Sequence, residues 1–156
     1  MKLSNLLSPD LIKIPLESKD KEGVIREMVD VLSKNGKVID PEAVLEAVLE
    51  REKVMSTGVG QGIAIPHGKT ESVTGVVAAL GISPDDIDFQ AIDEQPVHIV
   101  FLLLAPPYET GLHLKALSRV SRLLSKEEFR EKLLQASNAE EAMRFIQEEE
   151  KKYFEI

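Results

Sequence analysis

One histidine stands in a stretch of sequence that would hold it rigidly. His67 lies between Pro66 and Gly68 in the segment GQGIAIPHGKT, residues 60–70. A residue before proline favours extended backbone, proline fixes its own φ, and glycine permits a tight turn immediately afterwards. If a backbone carbonyl accepts a hydrogen bond from one ring nitrogen, the other keeps its lone pair for nucleophilic attack. The alternative is a turn histidine with no chemical role.

The same segment ends in Gly-Lys-Thr, which invites comparison with a nucleotide-binding loop. That loop needs G-x-x-x-x-G-K-[ST], whereas five residues separate Gly62 from Gly68 here, one more than the motif allows. Pro66 also lacks an N–H to aim at a phosphate, and a strand pattern follows instead of the required helix. The dinucleotide fingerprint fails as well, because Ile63 occupies the place of its third glycine. Nucleotide binding is therefore disfavoured.

Other residues near this stretch have side chains that suit a phosphate group. Arg51 closes a predicted helix, where its guanidinium would either hold phosphate oxygens or neutralise the helix C-terminus. Ser56 and Thr57 offer hydroxyls and are equally compatible with a plain edge strand. His113 falls in the first turn of a later helix, where it would either donate to an anion or be a partly exposed helix residue.

A metal site and a cofactor are not expected. His67 and His113 are the candidates for a metal, but they show neither HExxH nor HxH spacing. His98 lies inside an apolar strand and is expected to be structural. The 156 residues include no cysteine, which excludes disulfides, thiolate nucleophiles and zinc–thiolate sites within them.

Composition narrows the class of protein. The net charge of −8 argues against general nucleic-acid binding, which needs a basic surface. The N-terminus does not look like a secretory signal. The longest apolar run, VHIVFLLLA, is well short of the roughly 20 residues that span a bilayer. A cytoplasmic protein is expected.

The elements that must position these residues begin with a short strand and two helices. Ser18 is placed to cap the first helix, and Asp40 followed by Pro41 is a cap and first-turn pair for the second. The predicted bounds are 11–14 for the strand, 18–34 for the first helix and 41 to about 52 for the second.

The pattern between residues 54 and 105 changes to strands. Residues 72–82 are rich in small and β-branched side chains, and residues 97–105 form a continuous apolar run. Such a run is typical of a central strand covered on both faces.

The last third of the chain is predicted to be helical. A helix opens at Glu109 or Thr110 and turns Leu114, among other apolar residues, toward the core. Capping boxes at 125–128 and 137–140 open two more helices. The succession of helix pair, sheet and helices predicts one α/β domain over residues 1–156.

Taken together, two stretches of the chain resemble a known family. They are REKVMSTGVGQGIAIPHGKT at 51–70 and VFLLLAPPYETGLHLKALSRVSRLL at 100–124. They resemble the enzyme IIA domain of the bacterial phosphotransferase system, mannitol/fructose class, which includes the nitrogen-regulatory IIA proteins. The resemblance extends over nearly the whole chain.

The resemblance implies a fold, a reaction and a set of partners. The fold would be a mixed β-sheet flanked by helices on both faces. His67 would be phosphorylated on Nε2 by the phosphocarrier protein HPr and would pass the phosphoryl group to a cysteine of a IIB domain, without a cofactor. Arg51 and His113 match the family's active-site residues, and Ser56, Thr57 and Gly58 match the supporting loop. Contact with a membrane would be indirect, through a IIC permease.

Two roles stay open within this resemblance. One is a phosphoryl carrier for sugar uptake, the interpretation favoured here. The other is a nitrogen-type regulatory protein, in which phosphorylation of His67 changes the partner that is bound, because a phosphoryl group adds a large negative charge at one surface site.

Overall fold

The computed structural model describes residues 2–154, which form one layered domain. Within that range there are five α-helices, six strands and two short 3₁₀ turns near the N-terminus. The strands are β1 Ile12–Lys13, β2 Gly58–Gly60, β3 Ile63–Ala64, β4 His67–Lys69, β5 Val77–Ile87 and β6 Val97–Ala105. The helices are α1 Lys21–Lys34, α2 Pro41–Val54, α3 Thr110–Leu124, α4 Glu127–Leu134 and α5 Ala139–Phe154.

The strands form a mixed sheet around β6. Their order is β1-β5-β6-β3-β2, and β4 also pairs with β6. β5 runs antiparallel to β6, whereas β3 and β4 run parallel to it in one interrupted line. The interruption falls at Ile65 and Pro66, and the Pro66 carbonyl still accepts a hydrogen bond from the Leu103 amide, at 3.0 Å. β6 is buried along its length apart from His98, which confirms the predicted central strand.

Helices cover both faces of this sheet. Successive residues of a strand point to opposite faces. At Gly81 of β5, an added Cβ would lie 2.7 Å from the Met28 sulfur of α1. Leu80, the preceding residue, instead lines a small apolar cavity with Val120 of α3 and Phe129 of α4. The predicted α/β class, a mixed sheet flanked by helices on both faces, is therefore confirmed.

Two helix starts differ from the sequence prediction. α1 begins at Lys21 because Asp20, not Ser18, accepts a hydrogen bond from the Gly23 amide, at 2.7 Å. At α4 the Ser125 hydroxyl donates to the Arg122 carbonyl, so it does not cap the helix. In both cases a local side-chain hydrogen bond replaces the cap that the sequence motif predicts.

The remaining helix starts agree more closely with the prediction. Asp40 accepts from the Ala43 amide at 3.3 Å, with Pro41 in the first turn, as predicted. At α5 the capping residue is Asn138, which accepts from the Glu141 amide at 2.8 Å, one residue later than expected.

Two further expectations are corrected. β5 starts at Val77, later than the predicted residue 72, and continues to Ile87. Leu114 of α3, expected to face the core, is 62% exposed. The buried stripe of this helix instead contains His113, Ala116 and Val120. Hydrophobicity alone misassigned the first turn of α3, because a histidine takes the inward position there.

Candidate functional site

His67 is the first residue of β4, directly after the break in the strand line. Its Nδ1 lies 2.9 Å from the Ile65 carbonyl oxygen. A carbonyl only accepts hydrogen bonds, so Nδ1 carries the proton and Nε2 keeps its lone pair. Partial burial lowers the pKa of His67, and the Arg51 cation lowers it further. The hydrogen bond to Ile65 and the Glu52 carboxylate raise it, but their effect is smaller. The ring is therefore neutral near pH 7, with a lone pair on Nε2, which is the state that a histidine nucleophile needs.

His113, in the first turn of α3, lies beside His67, as the family resemblance implied. The two ring centroids are 5.7 Å apart, with the ring planes at 76°. His113 is only 3% exposed, and its buried Nε2 has no hydrogen-bond partner among residues 2–154. Burial lowers the pKa of His113 to about 4, with further lowering from His67 and Lys69. A neutral imidazole with an unpaired nitrogen suits a group that arrives at His67 and supplies the missing partner.

Arg51 lies in the last turn of α2 and its charge acts on His67. One guanidinium nitrogen, Nη1, donates to the Met55 carbonyl at 3.0 Å, just beyond the end of α2. The Arg51 charge is one of the causes that lower the pKa of His67. Arg51 therefore bonds a carbonyl at the C-terminus of α2, and its charge acts on the imidazole; a contact with phosphate oxygens stays a prediction.

The loop residues 56–58 are bonded within the protein. The Ser56 hydroxyl accepts from the Gly58 amide at 3.1 Å and from the Lys21 ammonium at 3.4 Å. The buried Thr57 hydroxyl donates to Glu52. At Gly58 a Cβ would lie 2.8 Å from Cα of Ala91, so glycine is required there for close packing. The loop therefore lies next to the end of α2, and its two hydroxyls form hydrogen bonds within the protein.

Three charged residues of this region were not singled out from the sequence. Glu52 and Lys21 form a largely buried ion pair, 3.0 Å apart. The Lys69 ammonium donates to the Thr110 hydroxyl at 3.1 Å and contributes to the lowered pKa of His113. The position of Lys69 could have been predicted from the sequence. Residues two apart on a strand point to the same face, and Lys69 lies two residues after His67. Glu52 stands in the segment that carries the family resemblance, but no role was predicted for it, and its burial depends on the lysine of another helix.

His98 is separate from this cluster and has its own partners. Its Nδ1 lies 3.1 Å from the Ser83 carbonyl, and its Nε2 lies 3.2 Å from an Asp86 carboxylate oxygen. Its side chain is 26% exposed, so the residue is structural, as expected, but lies at the edge of the core.

Two kinds of feature are absent from residues 2–154. No helix there combines the length and the apolar character needed to cross a membrane. No group of three or more His, Asp or Glu side chains in that range is arranged to hold a metal ion.

Sequence comparison links this geometry to known proteins. The fructose-specific EIIABC component of the phosphotransferase system of Bacillus subtilis is 47% identical over 151 residues. These cover 97% of this chain, which spans only 24% of the length of that relative. The fructose-specific EIIA component of Haloferax volcanii is 40% identical over 136 residues, 87% of this chain and 88% of that protein.

Solved structures show the same fold. The nitrogen regulatory protein IIA-Ntr from Neisseria meningitidis superposes with a TM-score of 0.85 at 33% identity, over 92% of this chain and 98% of that one. The complex of the mannitol enzyme IIA with phosphorylated enzyme IIB from Escherichia coli matches with a TM-score of 0.77 at 25% identity, over 91% of this chain and 97% of the matched chain.

A family model matches almost the whole chain, over residues 5–149. This family model is that of EIIA 2 of the phosphoenolpyruvate-dependent sugar phosphotransferase system. The neutral histidine at a strand break, the buried partner histidine and the sheet topology are thus features of a chain that belongs to this EIIA 2 family.

Proposed function

We propose that the chain is a phosphoryl-carrier IIA component that accepts a phosphoryl group from phospho-HPr on His67. It then passes the group to a cysteine of a IIB domain during fructose- or mannitol-type sugar uptake. One observation carries the proposal. The Ile65 carbonyl holds the proton on Nδ1 of His67, so Nε2 keeps its lone pair, and the centroid of the His113 ring, whose Nε2 has no partner among residues 2–154, lies 5.7 Å from that of His67.

The transfer proceeds by in-line displacement at phosphorus. The Nε2 lone pair of His67 forms the new N–P bond as the bond between phosphorus and the HPr imidazole breaks, and the electron pair returns to the HPr ring. The product at His67 carries a phosphoryl charge of about −1.5 to −2 near neutral pH. The Arg51 guanidinium offsets that charge through charge-assisted hydrogen bonds.

His113 completes the site in two protonation states. Before transfer it is neutral, because burial holds its pKa at about 4. A phosphoryl group nearby raises that pKa by favouring the charged form. His113 therefore tightens its bond to the phosphoryl oxygens after transfer, without repelling Arg51 beforehand.

The loop 56–58 supports the phosphate site from behind. Because the Ser56 and Thr57 hydroxyls and the Gly58 amide are bonded within the protein, we assign them to shaping the loop rather than to direct phosphate contact. The packing of Gly58 on Ala91 keeps that loop close to the sheet.

Exposed apolar residues adjoin His113 and Arg51, and we assign them to a transient docking surface. Leu112 and Leu114, which flank His113 in sequence, and Met55, the partner of Arg51, are exposed apolar residues. Apolar patches of this kind suit short-lived contacts with HPr and a IIB domain. The mannitol IIA structure is a complex with phosphorylated IIB, which supports the IIB partner. The protein acts in the cytoplasm and meets the membrane only through a IIC permease.

Phosphorylation in a reconstituted relay tests the proposal. The chain is incubated with phosphoenolpyruvate, enzyme I and HPr, and the modified residue is mapped. We expect one acid-labile phosphoryl group per chain on His67 and none on His67→Ala. His98→Gln is the matched control, because His98 is tied to Ser83 and Asp86 instead of the site. Wild-type labelling of His67→Ala would show that the site assignment is wrong.

A regulatory role is the second candidate. It is favoured by the 0.85 TM-score with IIA-Ntr of Neisseria meningitidis. In that role His67 is still phosphorylated, but the output is a change of bound partner. The discriminating measurement is transfer from phosphorylated chain to purified fructose- and mannitol-type IIB domains: rapid transfer supports the uptake role, and a stable phosphorylated protein in the presence of both supports regulation.

A further inference from the structure

A buried ion pair lies behind the site. The Glu52 carboxylate, in the last turn of α2, is 3.0 Å from the Lys21 ammonium at the start of α1, and their side chains are 3% and 15% exposed. The same carboxylate accepts hydrogen bonds from the Thr57 amide, at 3.1 Å, and from the Thr57 hydroxyl. Both carboxylate oxygens are thus used, which is what keeps a buried charge satisfied.

Thr57 connects this ion pair to the nucleophile. The Thr57 carbonyl accepts a hydrogen bond from the Ile65 amide, at 3.0 Å. The Ile65 carbonyl, in turn, accepts from Nδ1 of His67, at 2.9 Å. One continuous set of contacts therefore runs from Lys21 through Glu52, Thr57 and Ile65 to the imidazole.

The pairing with Lys21 also affects Arg51, the neighbour of Glu52 in sequence. Residues i and i+1 of a helix do not face each other. Glu52 turns inward to Lys21, while Arg51 donates to the Met55 carbonyl beyond the helix end. Lys21 pairs with the Glu52 carboxylate, and the Arg51 charge acts on His67.

We propose that Glu52 is a positioning residue, which acts with Lys21 through Thr57 and Ile65 to hold His67 in the Nδ1–H tautomer. The proposal rests on the proposed function for its effect on phosphoryl transfer, but not for its effect on the tautomer. A nucleophile oriented by a third group loses activity when that group is removed, because the reactive nitrogen is then protonated part of the time.

Glu52→Gln is the test variant, and Glu50→Gln is its matched control. Glu50 lies in the same helix and pairs with Lys53 at 2.8 Å, but both side chains are mostly exposed. The first readout is long-range ¹H–¹⁵N NMR of His67 in the unphosphorylated protein at about pH 8, which distinguishes the two tautomers. The second is the initial rate of labelling by phospho-HPr.

We expect wild type and Glu50→Gln to show the Nδ1–H tautomer and the same rate. Glu52→Gln should show a measurable share of the Nε2–H tautomer and a rate lower by on the order of tenfold, with unchanged final stoichiometry. An unchanged tautomer in folded Glu52→Gln overturns the proposal, even if the rate falls, because a purely structural role predicts that result.

Two further variants keep the test decisive if Glu52→Gln does not fold. Thr57→Val removes the hydroxyl bond to Glu52 and should shift the tautomer, whereas Thr57→Ser keeps the hydroxyl and should restore the wild-type spectrum and rate. Identical tautomers in the two variants overturn the proposal. If wild type takes no label from phospho-HPr, the proposed function fails, and the tautomer measurement still decides the role of Glu52.

Discussion

The buried, neutral state of His113 makes the stability of the fold depend on pH. The pKa of His113 falls from 6.5 to about 4 on folding, chiefly because burial disfavours the charged ring. Below pH 6.5 the unfolded chain therefore binds more protons at this residue than the folded chain does. Stability contributed by neutral His113 is present above the unfolded pKa and is lost as the pH falls from there toward about 4.

The magnitude follows from the two pKa values. With 6.5 for the unfolded chain and about 4 for the folded one, His113 contributes about 1.3 kcal/mol less at about pH 5.5 than at about pH 7.5. That loss changes little for any folded pKa at or below about 5, because the folded ring is then mostly neutral at both pH values. A loss of this size is a substantial part of a small domain's stability.

The assay compares denaturant unfolding of wild type and His113→Gln at the two pH values. Glutamine keeps a polar side chain at this buried site but does not titrate. Other titrating groups, including His67, contribute in both proteins, so the difference between the two losses isolates His113. We expect wild type to lose about 1.3 kcal/mol more than the variant.

Parallel losses in the two proteins would refute this reasoning. They would mean that folded His113 titrates like an exposed histidine and is charged in mildly acidic solution. His113→Gln should also lower the rate of labelling by phospho-HPr, since the phosphoryl oxygens lose one partner of the site. A normal rate would show that the unpaired Nε2 plays no part in transfer.

Three other substitutions probe single features of the fold and the site. Gly58→Ala places a Cβ at 2.8 Å from Cα of Ala91 and should lower the free energy of unfolding, measured by denaturant titration, by about 1–3 kcal/mol. Gly75→Ala is the control and should change it little, because no atom lies within 4 Å of the added Cβ. Equal effects of the two substitutions would contradict the packing argument. Asp20→Ala removes the cap on the Gly23 amide and should cost about 1 kcal/mol by the same measurement, and an unchanged midpoint would show that the cap adds nothing. Arg51→Ala should slow labelling of His67 by roughly 10- to 100-fold, because it removes a charge-assisted partner of the phosphoryl group, while the circular dichroism spectrum stays unchanged; full-rate labelling would remove Arg51 from the mechanism.

Local sequence determined a large part of the fold. The apolar run at 97–105 is long enough and apolar enough to specify the central strand, and Asp40 with Pro41 specifies where α2 begins. These features depend on neighbours in sequence, so their patterns are readable. The prediction failed where two local bonds compete: Ser18 and Asp20 both fit the cap of α1, and only the folded chain selects Asp20.

The sequence also determined which residues have suitable chemistry for the site. The Ile-Pro-His-Gly stretch is stiff by its own covalent geometry, and the structure supplies the backbone carbonyl that the sequence left unidentified, that of Ile65. Only the tertiary structure decided how the other groups act. The neutrality of His113, the burial of Glu52 against Lys21 and the engagement of Thr57 all depend on partners that are distant in sequence. Burial and charge pairing arise only when α1, α2 and α3 pack on the sheet, and no spacing in the sequence encodes them.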